Sequence, residues 1–355
     1  MSPNGEGPKK DRFRILCVDG GGIRGLISAL VIAEIERRLA AKRKEKTRMA
    51  DCFHLFAGTS TGGLIALALT RPDPVPGDQL AGFYTEDGPE IFDYSLGRRL
   101  RTGWGTFGPK YDEGPLREAV LARLGNGKLA EATRDLLVTS YDMTARAPFF
   151  FKRWKAQQEA TWNFPVVDAA LSTAAAPTYF PCHEPELLKG HALVDGGVFA
   201  ANPAIAAIAE GLGRNSDQPP RPTLDEMLVV SIGTGEFGTG FTPSQVRGWG
   251  GLGWIAGGGD EPPILSAMLG GSSDGTDYWA HMLLNHEPGE DRPTAETVGH
   301  GERYYRFQVE LAGAIEMDDA SPETLTKRLP EAAARLIDER SAEIDDLVTR
   351  LTPIE

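Results

Sequence analysis

Apolar residues fall along this chain in short runs that end at turn residues, and the runs alternate with longer amphipathic stretches. Phe13–Val18 (FRILCV) is the first run. Its length suits a strand buried on both faces of a parallel sheet. It stops at Asp19 and the cluster Gly20-Gly21-Gly22-Ile23-Arg24-Gly25. Leu26, Leu30, Ile35 and Leu39 then lie close to one helical face, widened by Val31 and Ile32, before a basic tract from Lys42 to Arg48. A second run, Cys52–Ala57, passes through Gly58-Thr59-Ser60-Thr61-Gly62-Gly63 into a helix opened by Leu64–Leu69. Strand, glycine turn, helix thus occurs twice before residue 70. That order predicts an α/β fold, a three-layer sandwich whose mostly parallel central sheet is flanked by helices.

The pattern continues less regularly. Residues 71–112 are rich in proline, glycine and turn residues and read as a weakly regular insertion. Pro115–Leu124 predicts a short helix, and Leu136–Tyr141 and Phe149–Trp154 predict strands. Val167–Ala176 reads as a small-residue helix ended by Pro177, and Ala192–Val194 as a strand leading into Asp195-Gly196-Gly197. Pro203–Leu212 carries proline in its first turn, with Asn202 as a cap. Met227–Ile232 is a β-branched strand, residues 235–275 are a second glycine-rich stretch, and Tyr304–Leu311 alternates like a late strand. Pro322–Leu351 predicts a long charged helix broken at Pro330, and Glu316, Asp318 and Asp319 ahead of it read as its cap.

Composition narrows the class. The 355 residues are 41% apolar and 25% charged, enough for a sizeable core without disulfide or metal staples. The formal net charge of −13 argues against a nucleic-acid partner and against anchoring to anionic lipid by charge alone. The charge is uneven: residues 9–48 carry a net +7 and residues 316–355 a net −6, read as two solvated helix faces of opposite sign. Cys17, Cys52 and Cys182 have no metal-ligand spacing and read as free thiols. No apolar signal segment opens the chain and no run of 18 apolar residues spans a bilayer, so a cytoplasmic protein is expected, with residues 1–11 as a disordered lead. No metal cluster and no cofactor motif is expected.

Three segments carry candidate chemistry. Gly58-Thr59-Ser60-Thr61-Gly62 is a G-x-S-x-G pattern between a strand and a helix. A nucleophile elbow there lifts Ser60 to the sheet's edge at a helix N-terminus, where N–H groups favour developing negative charge. Gly20, Gly22 and Gly25 match a dinucleotide fingerprint, but the next strand ends without the carboxylate that holds a ribose. The better reading is an oxyanion hole, with successive glycine N–H groups turned to one point and Arg24 bracing the loop. Asp195, before Gly196 and Gly197, ends another strand; in a parallel sheet such ends gather on one edge, so Asp195 can meet Ser60 there.

In this order, DGGGIRG, GTSTGG and DGG resemble the motifs of the patatin-like phospholipases. AAAPTYF at 174–180, Asn202-Pro203 and VVSIGTG at 229–235 resemble further family segments. The resemblance covers residues 12–312, with core motifs within 13–206, and leaves 313–355 as a C-terminal helical extension packed on the same domain. It implies a lipid acyl hydrolase (phospholipase A, lysophospholipase or esterase) with a Ser60–Asp195 dyad and no histidine. Gly20, Gly21, Gly22 and Thr61 would form the oxyanion hole, supported by Asp19, Arg24, Gly25, Gly58, Gly62, Gly196 and Gly197. The implied partner is a phospholipid or other acyl-ester lipid, met in transient contact with a membrane surface. Three alternatives stand beside it. One is an α/β-hydrolase triad drawing on His281, His286 or His300. Another is an effector silent until an unidentified partner or nucleotide activates it. The third is a storage or binding role. Arg98, Arg99, Arg101, Trp104 and Phe107, and Trp249 and Trp254, are aromatic loop segments suited to a lid or a lipid interface.

Overall fold

The computed structural model describes residues 11–93, 108–213, 221–237, 240–256, 262–285 and 303–354. The lead before Asp11, the Arg98–Phe107 segment, His286 and His300 lie outside the described residues.

Seven strands form the central sheet: β1 (Phe13–Val18), β2 (Leu55–Thr59), β3 (Asp135–Asp142), β4 (Ala147–Lys152), β5 (Leu193–Asp195), β6 (Met227–Ile232) and, across the two-residue strand β7 (Glu236–Phe237), β8 (Tyr304–Phe307). The order is β4-β3-β2-β1-β6-β8, with β5 paired to β3. The β3–β2–β1–β6–β8 run is parallel, and β4 and β5 are antiparallel to β3. A two-residue ladder joins β7 to β9 (Glu310–Leu311).

Alternation along the strands builds the layers. Leu16, Val18, Phe56, Leu136, Val138 and Val230 point into one core. Ile15, Cys17, Leu55, Ala57, Leu137 and Val229 point into the other. A sheet covered on both faces needs apolar side chains at both parities, which is why these strands read as continuous apolar runs. The helices Gly25–Arg43, Thr61–Thr70, Glu113–Leu124 and Val166–Ala174 supply the first core. Ala204–Gly213 and Pro263–Leu284 supply the second.

Several elements depart from the sequence reading. The second strand begins at Leu55, because Met49–Cys52 forms one helical turn. Buried Glu36, on the preceding helix, accepts from Met49 N (2.7 Å) and from Gly77 N (2.7 Å), a long-range cap that local pattern does not contain. The segment taken as a weakly regular insertion holds three single helical turns in its described part, with Leu80, Tyr84 and Ile91 buried. The glycine-rich 235–275 stretch gives way at Pro263 to a helix running to Leu284 across three glycines, its packing outweighing their poor helix propensity. Pro330 does not break the C-terminal helix: a π-helical turn, Thr324–Arg328, precedes it and absorbs the missing N–H, and the break falls at Arg340.

The two oppositely charged segments are not separate solvated faces. They meet each other: Arg38 on the Gly25–Arg43 helix pairs with Asp345 (2.8 Å), Arg350 pairs with Asp11 (2.5 Å), and Arg43 donates to Leu351 O. Leu329, Leu336, Ile344 and Leu347 are buried in the first core beneath them.

Candidate active site

The elbow begins where β2 ends. Ser60 has φ 54° and ψ −126°, a conformation that a non-glycine residue adopts only under constraint. The constraint is visible. The Ser60 N–H donates to Thr173 Oγ1 (2.8 Å), and its carbonyl accepts from Leu64 N (3.2 Å) to start the helix. Gly58 and Gly62 touch backbone to backbone across the turn; a Cβ on Gly58 would strike the Gly62 carbonyl, and one on Gly62 would strike Val18 O. These two positions admit only glycine.

Asp195 reaches Ser60 by a different route from the one the sequence implied. It does not come up a parallel strand to a shared carboxyl edge. β2 pairs with β3 up to Thr59–Thr139, and β5 takes over the adjoining length of β3 in antiparallel sense, with Asp195 opposite Ser140. The two strands therefore meet end to end along one side of β3, and their last residues are neighbours. The Ser60 hydroxyl and the Asp195 carboxyl line one cavity, and the hydroxyl favours the charged form of the carboxyl. Asp195 Oδ1 accepts from Gly197 N (2.7 Å). Burial pushes the carboxyl up to about 7, against the opposing pull of these two groups. Gly196 packs on Thr139, and Gly197 on Leu269.

The glycine loop after β1 closes over the elbow, with Gly20 in contact with the Ser60 side chain. Its peptide groups are individually held. Gly20 N–H donates to Ala201 O (2.9 Å), so it is committed and does not face Ser60 as a donor. The Gly20 carbonyl accepts from Thr234 Oγ1 (2.7 Å). The Gly21 carbonyl accepts from Arg24 N (3.2 Å) and lies 3.4 Å from Arg24 Nε. A trans peptide points its N–H opposite its C=O. The clamps therefore turn the N–H groups of Gly21 and Gly22 away from Thr234 and Arg24. Gly21, Gly22 and Thr61 line the same cavity as Ser60 and Asp195. Arg24 is buried and stacks over Phe237 at 5.0 Å. Gly22, at φ 58°, sits against Met317 O, which accepts from Ile23 N (2.8 Å). Gly25 sits against Thr61 and Tyr84, whose hydroxyls bond at 2.6 Å. Asp19 is buried behind the loop, paired with Arg306 (2.6 Å).

Ser60 opens on an apolar pocket of about 70 Å³, walled by Ile23, Leu64, Phe92, Leu116, Phe180 and Leu265 among others. Phe83, Tyr84 and Ile91 of the former insertion form part of that wall. No histidine lines it among the described residues. His281 is on the Pro263–Leu284 helix, about 18 Å along the axis from Leu269, which does line it. Trp249 and Trp254 flank instead a second, open cleft of about 850 Å³.

Four supporting residues escaped the sequence reading: Thr173, Thr234, Arg306 and Met317. Thr234 lies inside VVSIGTG, a segment read only as resemblance, and Met317 lies beyond residue 312. Asp318, read as a helix cap, instead pairs with Lys110 (2.5 Å) and accepts from Tyr111 OH (2.6 Å), which fixes Met317 in place.

Fold and site together give a three-layer α/β protein with a serine at a strand–helix elbow. A family model for patatin-like phospholipase matches residues 16–208. Patatin-like protein 2 of Arabidopsis thaliana is 36% identical over 288 residues, 74% of this chain and 70% of that protein. Patatin-like protein 2 of Oryza sativa subsp. indica is 30% identical over 97% of this chain and 89% of its own length. Patatin-1-Kuras 2 of Solanum tuberosum is 31% identical over 78% of this chain and 76% of its own length. The chain belongs to the patatin-like phospholipase family, and at that level it is a lipid acyl hydrolase. No helix among the described residues is long and apolar enough to cross a membrane.

Proposed function

We propose that the protein cleaves carboxylic esters of membrane phospholipids, as a phospholipase A or lysophospholipase, through a Ser60–Asp195 dyad and an acyl-enzyme. The observation that carries this reading is that Ser60, at the elbow, shares one apolar cavity with buried Asp195, whose carboxyl is pushed up to about 7. A carboxylate at its ordinary value of about 4 is a poor base at neutral pH; one near 7 is matched to the task.

Ser60 Oγ attacks the ester carbonyl carbon, and its proton passes to Asp195. Negative charge on the carbonyl oxygen falls among the N–H groups of Gly21, Gly22 and Thr61. Gly20, its own N–H committed to Ala201, acts as the spacer that lets the loop approach. The intermediate collapses, the alcohol leaves with the proton from Asp195, and the acyl group stays on Ser60. Water then attacks the acyl carbon and gives a proton to Asp195. That proton returns to Ser60 Oγ as the fatty acid leaves. The apolar pocket receives the acyl chain.

The test is mass spectrometry of a mixed phospholipid extract incubated with purified protein, with Ser60→Ala as control. Free fatty acid and lysolipid that require Ser60 are expected. With a soluble ester, kcat/KM should climb with pH through about 7, as Asp195 loses its proton and becomes a base. Asp195→Asn should lower turnover by roughly three orders of magnitude with the fold intact. Full turnover in that variant would remove Asp195 as the base.

A further inference from the structure

Eleven large apolar side chains are exposed among the described residues, and nine of them fall between Phe241 and Leu283. Such clustering is not the scattered surface apolarity of an ordinary domain. Two elements carry most of it. The turn of helix Gly251–Ala256 exposes Leu252 (83%) and Ile255 (60%). It packs against the Pro263–Leu284 helix, which exposes Ile264, Met268 and Trp279 on one outward face.

The inward face of that longer helix belongs to the site. Leu265 and Leu269 line the Ser60 pocket. Ser272 accepts from Ala201 N (3.1 Å) and donates to Phe199 O (3.0 Å), in the turn that follows Asp195. One helix thus has a wall of the Ser60 pocket on one face and, on the adjoining face, exposed apolar side chains.

Resting on the reading of the site as a lipid esterase, we propose that this outward face, centred on Leu252, Ile255, Ile264, Met268 and Trp279, is where the protein docks on a lipid surface. Continuity with the pocket selects the occupant: a bilayer seated there brings its ester groups to the pocket wall. Charge selects the kind of bilayer. The Pro263–Leu284 helix has two carboxylates, Asp274 and Asp277, and no lysine or arginine; the Gly251–Ala256 turn has no charge at all. On a chain of net charge −13, docking is by apolar insertion into a zwitterionic surface, and anionic lipid is no attraction.

Flotation with phosphatidylcholine vesicles tests this, using the full chain carrying Ser60→Ala so that the membrane stays intact. The protein should float with neutral vesicles equally at low and high salt, and tryptophan emission should shift to the blue. The double variant Leu252→Asp/Ile255→Asp, and separately Trp279→Asp, should reduce the floated fraction at least about ten-fold. In the catalytically intact background the same variants should lose vesicle hydrolysis to that extent, yet cleave a soluble short-chain ester within about two-fold of the parent. Undiminished flotation of the variants, or binding confined to anionic vesicles and abolished by salt, would overturn the proposal. Flotation as expected from a parent chain that cleaves no soluble ester would leave the docking face standing and sink the esterase reading instead.

Discussion

Thr234 bears on the reaction without touching the substrate. Its hydroxyl holds the Gly20 carbonyl at 2.7 Å, and trans planarity then aims the Gly21 N–H the other way. If Gly21 is an oxyanion donor, Thr234 is a positioning residue that keeps the donor turned toward the reacting atom before substrate arrives. Thr234→Val keeps the shape and removes the clamp. It should lower kcat about ten-fold or more with KM little changed, and Thr234→Ser should restore most of the loss. Equal kcat in the valine variant would show that the loop holds its own geometry. Much of the residue scale was legible in the sequence. Ser60 announces itself because the elbow needs glycine at 58 and 62, and that requirement is local. Thr234 does not, because its partner lies 214 positions away and a threonine before a glycine looks like any turn.

Elements meet around the pocket through a buried polar clip. His183 sits between Glu113 (Nδ1 to Oε2, 2.9 Å) and Asp168 (Nε2 to Oδ1, 2.9 Å), and so joins the helices Glu113–Leu124 and Val166–Ala174. Burial opposes charge on the imidazole, but the two carboxylates outweigh it and raise its affinity for a proton above the ordinary 6.5. The sign follows from linkage: a raised folded value stabilises fully below about 6.5 and is lost as pH climbs through the folded value. His183→Gln should therefore cost more stability at pH 6 than at pH 9, measured by urea unfolding at each. A cost that does not vary with pH would mean the imidazole is neutral in the fold. Element types were largely readable from apolar runs and glycine turns. Their limits were less so. The strand starting at Leu55 instead of Cys52 depends on Glu36, and the helix from Pro263 through three glycines depends on the sheet it covers.

Across the whole molecule, the C-terminal helices close the first core and also steady the glycine loop. Ile344 is fully buried there, and Met317 O receives the Ile23 N–H beside Gly22. Ile344→Asp should destabilise by more than about 3 kcal/mol in urea unfolding, since it buries a carboxylate with no partner. Glu339→Ala, at a side chain that is 61% exposed, should change stability by less than about 0.5 kcal/mol. An unaffected Ile344→Asp protein would mean that these helices are dispensable to the core.

The amino-acid sequence by itself determined the layered α/β architecture, the elbow serine, the glycine loop and the family. Each is written in residues close together, where strand period, turn chemistry and the need for glycine act over a few bonds. Only the tertiary structure decided how those pieces meet. Asp195 reaches Ser60 because two strands abut along one side of β3, an outcome of register between segments far apart in the chain. The N–H groups left to face the site depend on which carbonyls Thr234 and Arg24 hold and on what Ala201 takes from Gly20. Part of the pocket wall, Phe83, Tyr84 and Ile91, comes from a segment with no periodic signal, because its apolar residues are ordered by the cavity they line and not by any repeat along the chain.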